Sequence, residues 1–341
     1  MVYSFALFKH ANIRYREAVC RLARCELAAM LQSLSIHTDL SEEMMGGSLF
    51  LTFECRELTP SELQYLSRHS SVVLMAEKQK DLLRPLPVSP AFYLPEDLPE
   101  VLKYKGKTST SFTRMMINTA ASLTPCPSSP ELLFFDPICG KGTGCFCAVT
   151  VGMDAVGLDI DRKAVAEASG YFDRYLQYHK LKHKAVTRSE TYKGHSLAVT
   201  EYQFSDTREH YLNGLIKKLL LCASDTSDSP ALFRRRKADL IAADLPYGIQ
   251  HAPLSPQRAE TLHHFLHRVL PVWKKVLKPG GAIALSFNTL TLPSDLVHDT
   301  LLQNGFVIPE ESFFSGLQHE VEQAVVRNVI FALYPEEESE Q

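Results

Sequence analysis

The segment 132–161 constrains this chain more than any other. An apolar run, 132–135, ends on Asp136-Pro137 and enters Ile138-Cys139-Gly140-Lys141-Gly142-Thr143-Gly144, after which Cys145-Phe146-Cys147-Ala148-Val149 reads as a buried helix. Glycine at every second position lets the backbone turn sharply and approach a ligand with no Cβ in the way, and the helix that follows offers free N–H groups at its start. A second apolar run, 155–158, leads into Asp159-Ile160-Asp161, where an acid at a strand's carboxyl end can bond both hydroxyls of a ribose. Strand, glycine turn, helix, strand and acid begin an α/β sheet with a nucleoside-cofactor site at its carboxyl edge.

The loop matches neither common phosphate-binding form. A dinucleotide fingerprint needs Gly-x-Gly-x-x-Gly, and a Walker loop needs Gly-Lys-Ser/Thr, whereas Lys141 is followed by Gly142. Downstream the alternation continues, with strands expected at 218–222, 238–243 and 282–286, the last entered by the turn Lys278-Pro279-Gly280-Gly281, and final strands at 306–308 and 325–333. The fold expected is α/β, a mainly parallel seven-stranded sheet. Residues 184–215, rich in Tyr, Thr, Ser and charge, exceed an ordinary connection; they read as a substrate-facing excursion. Residues 334–341 read as a disordered tail.

A different unit precedes this one. Residues 1–85 alternate a strand at 2–8, a helix at 15–34, a strand at 48–54, a helix opened by Thr59-Pro60-Ser61-Glu62 and a strand at 71–76. That order is compatible with a small ferredoxin-like α+β domain. Pro85, Pro87, Pro90, Pro95 and Pro99 mark 86–104 as an extended linker, and a helix at 111–121 opens the domain 105–333.

The strand 238–243 ends on Asp244-Leu245-Pro246-Tyr247, followed by Gly248. An acid and a neighbouring carbonyl can accept hydrogen bonds from an exocyclic NH2 while a tyrosine stacks on its ring, so the stretch suits a planar amine such as a nucleobase. The bland alternative is a Pro/Gly turn. Position at the same sheet edge as the glycine loop favours the chemical reading.

Composition excludes some classes. No apolar run reaches the roughly 18 residues of a membrane helix, and the first ten residues lack the pattern of a signal peptide, so the chain reads as cytoplasmic. Eight cysteines contain no Cys-x-x-Cys pair and the histidines form no His-Glu-x-x-His helix, so no metal is expected and the thiols read as reduced packing residues. A net charge of -3 argues against coating nucleic acid nonspecifically. Arg234-Arg235-Arg236-Lys237 and 180–184 are basic clusters of the kind usually found on solvated surface.

The motifs Asp136-Pro-Ile-Cys-Gly-Lys-Gly-Thr143, Gly157-Leu-Asp-Ile-Asp161 and Asp244-Leu-Pro-Tyr247, in this order, resemble those of class I S-adenosylmethionine-dependent methyltransferases acting on amino groups. The first motif is similar to that of the tRNA guanine-N2 methyltransferases that usually carry a THUMP domain. The resemblance covers about 105–333 and implies a Rossmann-like fold, S-adenosylmethionine as cofactor and RNA, tRNA in particular, as partner. It implies that Asp136, Pro137, Cys139, Gly140, Gly142 and Thr143 surround the methionine part, Asp159 and Ile160 the ribose side, and Asp225 the adenine, with Asp206 its rival. Thr113, in Lys107-Thr-Ser-Thr-Ser-Phe-Thr113, falls in the segment leading to the helix over the cofactor. Asp244, Leu245, Pro246 and Tyr247 would hold the target amine. Leu245 stands where these enzymes commonly have Pro, and about 85 N-terminal residues hardly accommodate a full THUMP domain. DNA adenine-N6 or cytosine-N4 methylation, and a catalytically silent binding module, are the alternatives.

Overall fold

The computed structural model describes residues 1–9, 13–90, 92–104, 107–247, 261–322 and 324–336. Gly248 and the last five residues lie outside them.

The N-terminal part runs β1 (Val2–Leu7), α1 (Ile13–Ser33), β2 (Ser41–Met45), β3 (Ser48–Glu54), α2 (Pro60–Leu66), β4 (Val72–Gln79) and β5 (Leu82–Pro85). These strands form one antiparallel sheet, ordered β2-β3-β1-β4-β5. The sequence pattern supplied the three central strands. The two it missed are edge strands, and the exposed, acidic Ser-Glu-Glu-Met-Met of β2 carries little of the apolar alternation that betrays a strand. α2 opens on a capping box, the Thr59 side chain accepting from the Glu62 amide and Glu62 accepting from the Thr59 amide.

The remainder runs α3 (Leu98–Val101), α4 (Thr110–Ser122), β6 (Leu133–Asp136), α5 (Thr143–Thr150), β7 (Asp154–Asp159), α6 (Arg162–Tyr178), β8 (His183–Tyr192), β9 (His195–Phe204), α7 (Arg208–Leu212), β10 (Lys217–Ala223), β11 (Ala238–Asp244), α8 (Leu262–Val276), β12 (Leu277–Asn288), α9 (Ser294–Gln303), β13 (His319–Glu322) and β14 (Val325–Leu333). The sheet is ordered β13-β14-β12-β11-β6-β7-β10-β9-β8. β12, β11, β6, β7 and β10 are parallel neighbours, the doubly wound centre that the alternation predicts.

Three expectations need correction. The sheet has nine strands rather than seven, because most of the 184–215 insertion is the hairpin β8–β9, paired antiparallel to β10 and extending the sheet. The insertion is therefore an edge element of the sheet, and its His195, Ser196 and Leu197 line the cavity that also holds Asp225. Residues 306–308 form only an isolated bridge, Val307 to Leu333. The Lys278–Gly281 turn lies inside β12 instead of before it: Ala238 pairs with Leu277 and Leu240 with Ala282, so the turn bulges from the ladder with Gly280 at φ 76°.

Side chains join the two parts. α1 packs on α4 through Glu26, fully buried, which accepts hydrogen bonds from Asn118 Nδ2 (2.7 Å) and the Ser70 amide (2.9 Å). The proline-rich 86–104 stretch is also anchored, with Leu94 and Leu98 buried in the core of the larger sheet. An unpaired buried carboxylate would be costly, so these contacts fix α4 against the N-terminal sheet, and α4 begins at the candidate site.

Candidate functional site

The first half of the site is made mostly of backbone. β6 delivers Asp136 to the sheet edge, and Gly140 (φ 50°) and Gly142 (φ 87°) carry the chain through left-handed backbone into α5. A Cβ built on Gly140 meets nothing within 4 Å, so the backbone fronts open space there. Packing enforces the other glycines. A Cβ on Gly144 would overlap Asp136 Oδ2, and one on Gly157 would approach Cys145 Sγ at 2.8 Å and Cys139 Sγ at 3.0 Å. Pro137 is buried, and Cys139 is buried with its amide on the Leu158 carbonyl (2.7 Å). The Thr143 hydroxyl sits 2.9 Å from the Tyr104 hydroxyl.

Asp136 accepts from the Ile138 amide at 3.3 Å, and burial pushes its carboxyl well above the ordinary range. At the end of β7, Asp159 accepts from the amides of Gly140 (2.7 Å) and Asp161 (2.8 Å), and burial raises its carboxyl too. Ile160 beside it is an exposed apolar side chain. Asp225 follows β10 at the same carboxyl edge, accepting from the Ser227 amide (2.8 Å) and from Arg268 (2.8 Å). Burial pushes its carboxyl up, but the bonds from Ser227 and Arg268 outweigh this and hold it below the usual value. Asp206 follows β9, whose Phe204 end faces Lys217 at the opposite edge, so of the two acids only Asp225 shares the edge with Asp136 and Asp159.

The second half is made of side chains drawn from distant segments. Asp244 ends β11, opposite Ser286 of β12. Its Oδ2 accepts from the Thr108 hydroxyl and its Oδ1 from the Tyr247 hydroxyl. Tyr247 OH also lies 3.1 Å from Ser286 Oγ, and the Asn288 amide donates to the Tyr247 carbonyl at 3.2 Å. Arg327 of β14, itself buried, lies over the Tyr247 ring at 5.1 Å and the Phe112 ring at 4.5 Å. Burial, then the Asp244 charge, pushes the Tyr247 phenol well above its usual value.

Tyr247 is engaged by its neighbours. Its hydroxyl is turned onto Asp244, and Arg327 lies over its ring. Leu245 points into the core, 1% exposed, and its amide donates to the Ser286 carbonyl at 2.8 Å. A leucine is at home there because the side chain packs inward and only its backbone fronts the edge. Pro246 is half-buried beside it.

The two halves face one cavity of about 380 Å3, lined by Thr108, Thr113, Asp136, Gly140, Thr143 and Asp244 among others. That volume is within the range of small-molecule sites. Pro137, Gly142, Asp159, Ile160, Leu245, Pro246 and Tyr247 do not line it, and Ile160 and Asp225 line a neighbouring cavity of about 750 Å3. Tyr104, Ser286 and Arg327 carry no local sequence signal; Thr108 stood in a noticed segment, but its bond to Asp244 spans 136 residues. Among the described residues no group of three or more metal-ligating side chains occurs, and no helix is long and apolar enough to cross a membrane.

Fold and site together define an α/β protein with a cavity of small-molecule size at the carboxyl ends of adjacent parallel strands. No family model matches the chain, and no curated protein matches it in sequence. Solved structures similar to it include TrmN from Thermus thermophilus (17% identity, 87% of this chain and 60% of that one, TM-score 0.41). Others are an rRNA methylase from Streptococcus thermophilus (11%, 68% and 100%, 0.38) and magnesium protoporphyrin IX methyltransferase from Synechocystis PCC 6803 with bound S-adenosylmethionine (12%, 70% and 89%, 0.37). The chain spans 60% of the Thermus protein's length.

Proposed function

We propose that the chain is an S-adenosylmethionine-dependent methyltransferase acting on an exocyclic amine of a nucleobase in RNA, guanine N2 of tRNA. The observation that carries this reading is that the glycine loop after β6 and Asp244 after β11 line the same cavity. The chain's own residues fit the cofactor: left-handed Gly140 opening onto space, the amides at the start of α5, and acids at the ends of β6 and β7, with the apolar Ile160 beside the second. Asp136, Gly140, Gly142 and Thr143 would hold its methionine end, Asp159 the ribose and Asp225 the adenine side. When bound, the cofactor supplies an activated methyl on sulfonium.

The rest is positioning. An ionised carboxylate has about four acceptor sites, and Thr108 and Tyr247 occupy one on each oxygen of Asp244. One of those remaining accepts a hydrogen of the amine, orienting its lone pair, and Asp244 receives the proton released on transfer. Tyr247 would stack on the base, which must be unpaired or flipped out to enter. The N-terminal sheet, whose order fits a ferredoxin-like unit, helps position the RNA, and the cytoplasm is the proposed location.

Nucleoside mass spectrometry of tRNA incubated with the protein and cofactor tests this directly. N2-methylguanosine is the expected product. Methylated adenine or cytosine appearing in DNA instead would move the substrate to DNA, and cofactor binding without any methylated product would make the chain a binding module.

A further inference from the structure

The hairpin β8–β9 overhangs the sheet it extends. Its own pairing continues as far as Tyr192 opposite His195, whereas β9 pairs with β10 only from Val199, opposite Cys222, onward. Because β9 runs antiparallel to β10, residues 195–198 project past the ladder where β10 ends, at the carboxyl edge that also carries Asp136 and Asp159. At about 3.3 Å per residue the projection is roughly 13 Å. A hairpin that merely widened the sheet would stop level with β10.

The projecting tip is held in place. Both turn residues, Lys193 (φ 48°) and Gly194 (φ 82°), adopt the left-handed backbone of a tight two-residue hairpin turn. Arg234 donates to the Thr191 carbonyl at 2.7 Å, His195 Nε2 lies 3.1 Å from Asp228 Oδ2, and Leu197 is buried in the core. Asp228 in turn accepts from the Ser224 hydroxyl.

The tip forms part of the cavity of about 750 Å3, where His195, Ser196 and Leu197 share the lining with Ile160, Asp225 and Arg268. This cavity adjoins the site cavity across the end of β7: Asp161 lines the site cavity while its chain neighbours Ile160 and Arg162 line this one. The Ser224 amide, at the same place, donates to the Asp159 carbonyl at 2.9 Å. Two arginines, Arg162 and Arg268, stand against two acids, Asp225 and Asp228, so the lining carries no excess positive charge to attract a phosphate. It offers instead the exposed apolar Ile160, the half-exposed His195 ring and Asp225, whose bonds from the Ser227 amide and Arg268 both fall on Oδ1. An apolar surface, a flat ring and a carboxylate oxygen suit a neutral purine bearing an exocyclic amine.

We propose that the insertion is a cofactor-binding element: its tip walls the adenine end of S-adenosylmethionine, the His195 ring packing on the purine whose amine donates to Asp225. The assignment rests on the cofactor reading above and adds to it the hairpin and His195.

The test is calorimetry of the full chain with S-adenosylmethionine and with 5′-methylthioadenosine, which keeps the adenosine and lacks the amino acid, for the wild type, His195→Ala and His195→Phe. His195 is half-exposed, so each variant should keep a cooperative thermal melt. His195→Ala is expected to weaken both compounds by the same factor, about 2- to 12-fold, from one ring contact. His195→Phe, which keeps a ring without the Asp228 bond, should recover most of the loss. In methyl transfer to tRNA the cofactor KM of His195→Ala should rise in the same proportion while kcat holds. Wild-type affinity for both compounds in His195→Ala would overturn the hairpin's role and leave the methylation reading standing, as would a loss confined to S-adenosylmethionine or one that His195→Phe shares in full. A wild type that binds neither compound would overturn the cofactor reading and this assignment together.

Discussion

The two halves of the candidate site are built by different means. The half around Asp136 to Gly144 is backbone, set by glycines whose absent Cβ atoms make room for Asp136, Cys139 and Cys145. The half around Asp244 is side chain, set by Thr108, Ser286 and Arg327 arriving from α4's leading segment, β12 and β14. A backbone site is written in consecutive residues, whereas a side-chain site is assembled by strand register and helix packing. The first should fail sharply and locally when one atom is added; the second should degrade by degrees as donors around the acid are removed.

Adding that one atom is the strongest way to break the contrast. Gly144→Ala places a Cβ on Asp136 Oδ2, and the carboxyl must swing away. Overpacking of this kind costs about 1–3 kcal/mol; calorimetry should show cofactor affinity reduced by about 100-fold. Near-normal affinity would mean that the Asp136 carboxyl is free to move and the loop is less rigid than its packing implies.

Removing a donor is gentler. Thr108→Val deletes the hydroxyl bonded to Asp244 Oδ2 while keeping the shape. A hydrogen bond to a charged group contributes about 1.5–3 kcal/mol, so the transfer rate should fall by about 10- to 100-fold with cofactor affinity unchanged, as steady-state kinetics would show, and Thr108→Ser should recover most of it. If cofactor affinity falls instead, Thr108 belongs to the backbone half.

The smallest effect is on stability. Burial raises the Asp136 carboxyl above its unfolded value, so its contribution is fully present below the unfolded value and is lost as pH rises through the folded one. Ionised Asp136 therefore opposes folding at neutral pH. Asp136→Asn should melt higher than the wild type at pH 8 and no higher at pH 3, while binding cofactor poorly. A variant that melts lower at pH 8 would place a stabilising partner on the Asp136 carboxylate.

The same contrast explains what the sequence reveals. Apolar runs mark the five parallel strands because those strands are buried on both faces. The glycine loop is visible because its geometry is local. β2, β5 and the hairpin β8–β9 are poorly marked because edge strands are short or polar, and His183–Tyr192 is mostly exposed along its length. Partners of Asp244 and Tyr247 are invisible for a different reason: Ser286, Asn288 and Arg327 have no motif of their own, Thr108 stood in a segment noticed for another role, and all matter only once α4, β12 and β14 are in place. Nothing near Tyr247 in sequence announces Arg327 over its ring.

The central claim is that one cavity joins a cofactor half to an amine half. Its most direct test compares Asp244→Ala with Asp136→Ala by calorimetry for S-adenosylmethionine and by methyl transfer to tRNA. The account predicts that Asp244→Ala binds cofactor like the wild type but loses transfer by about 100-fold or more, while Asp136→Ala loses both. Wild-type transfer by Asp244→Ala would contradict it.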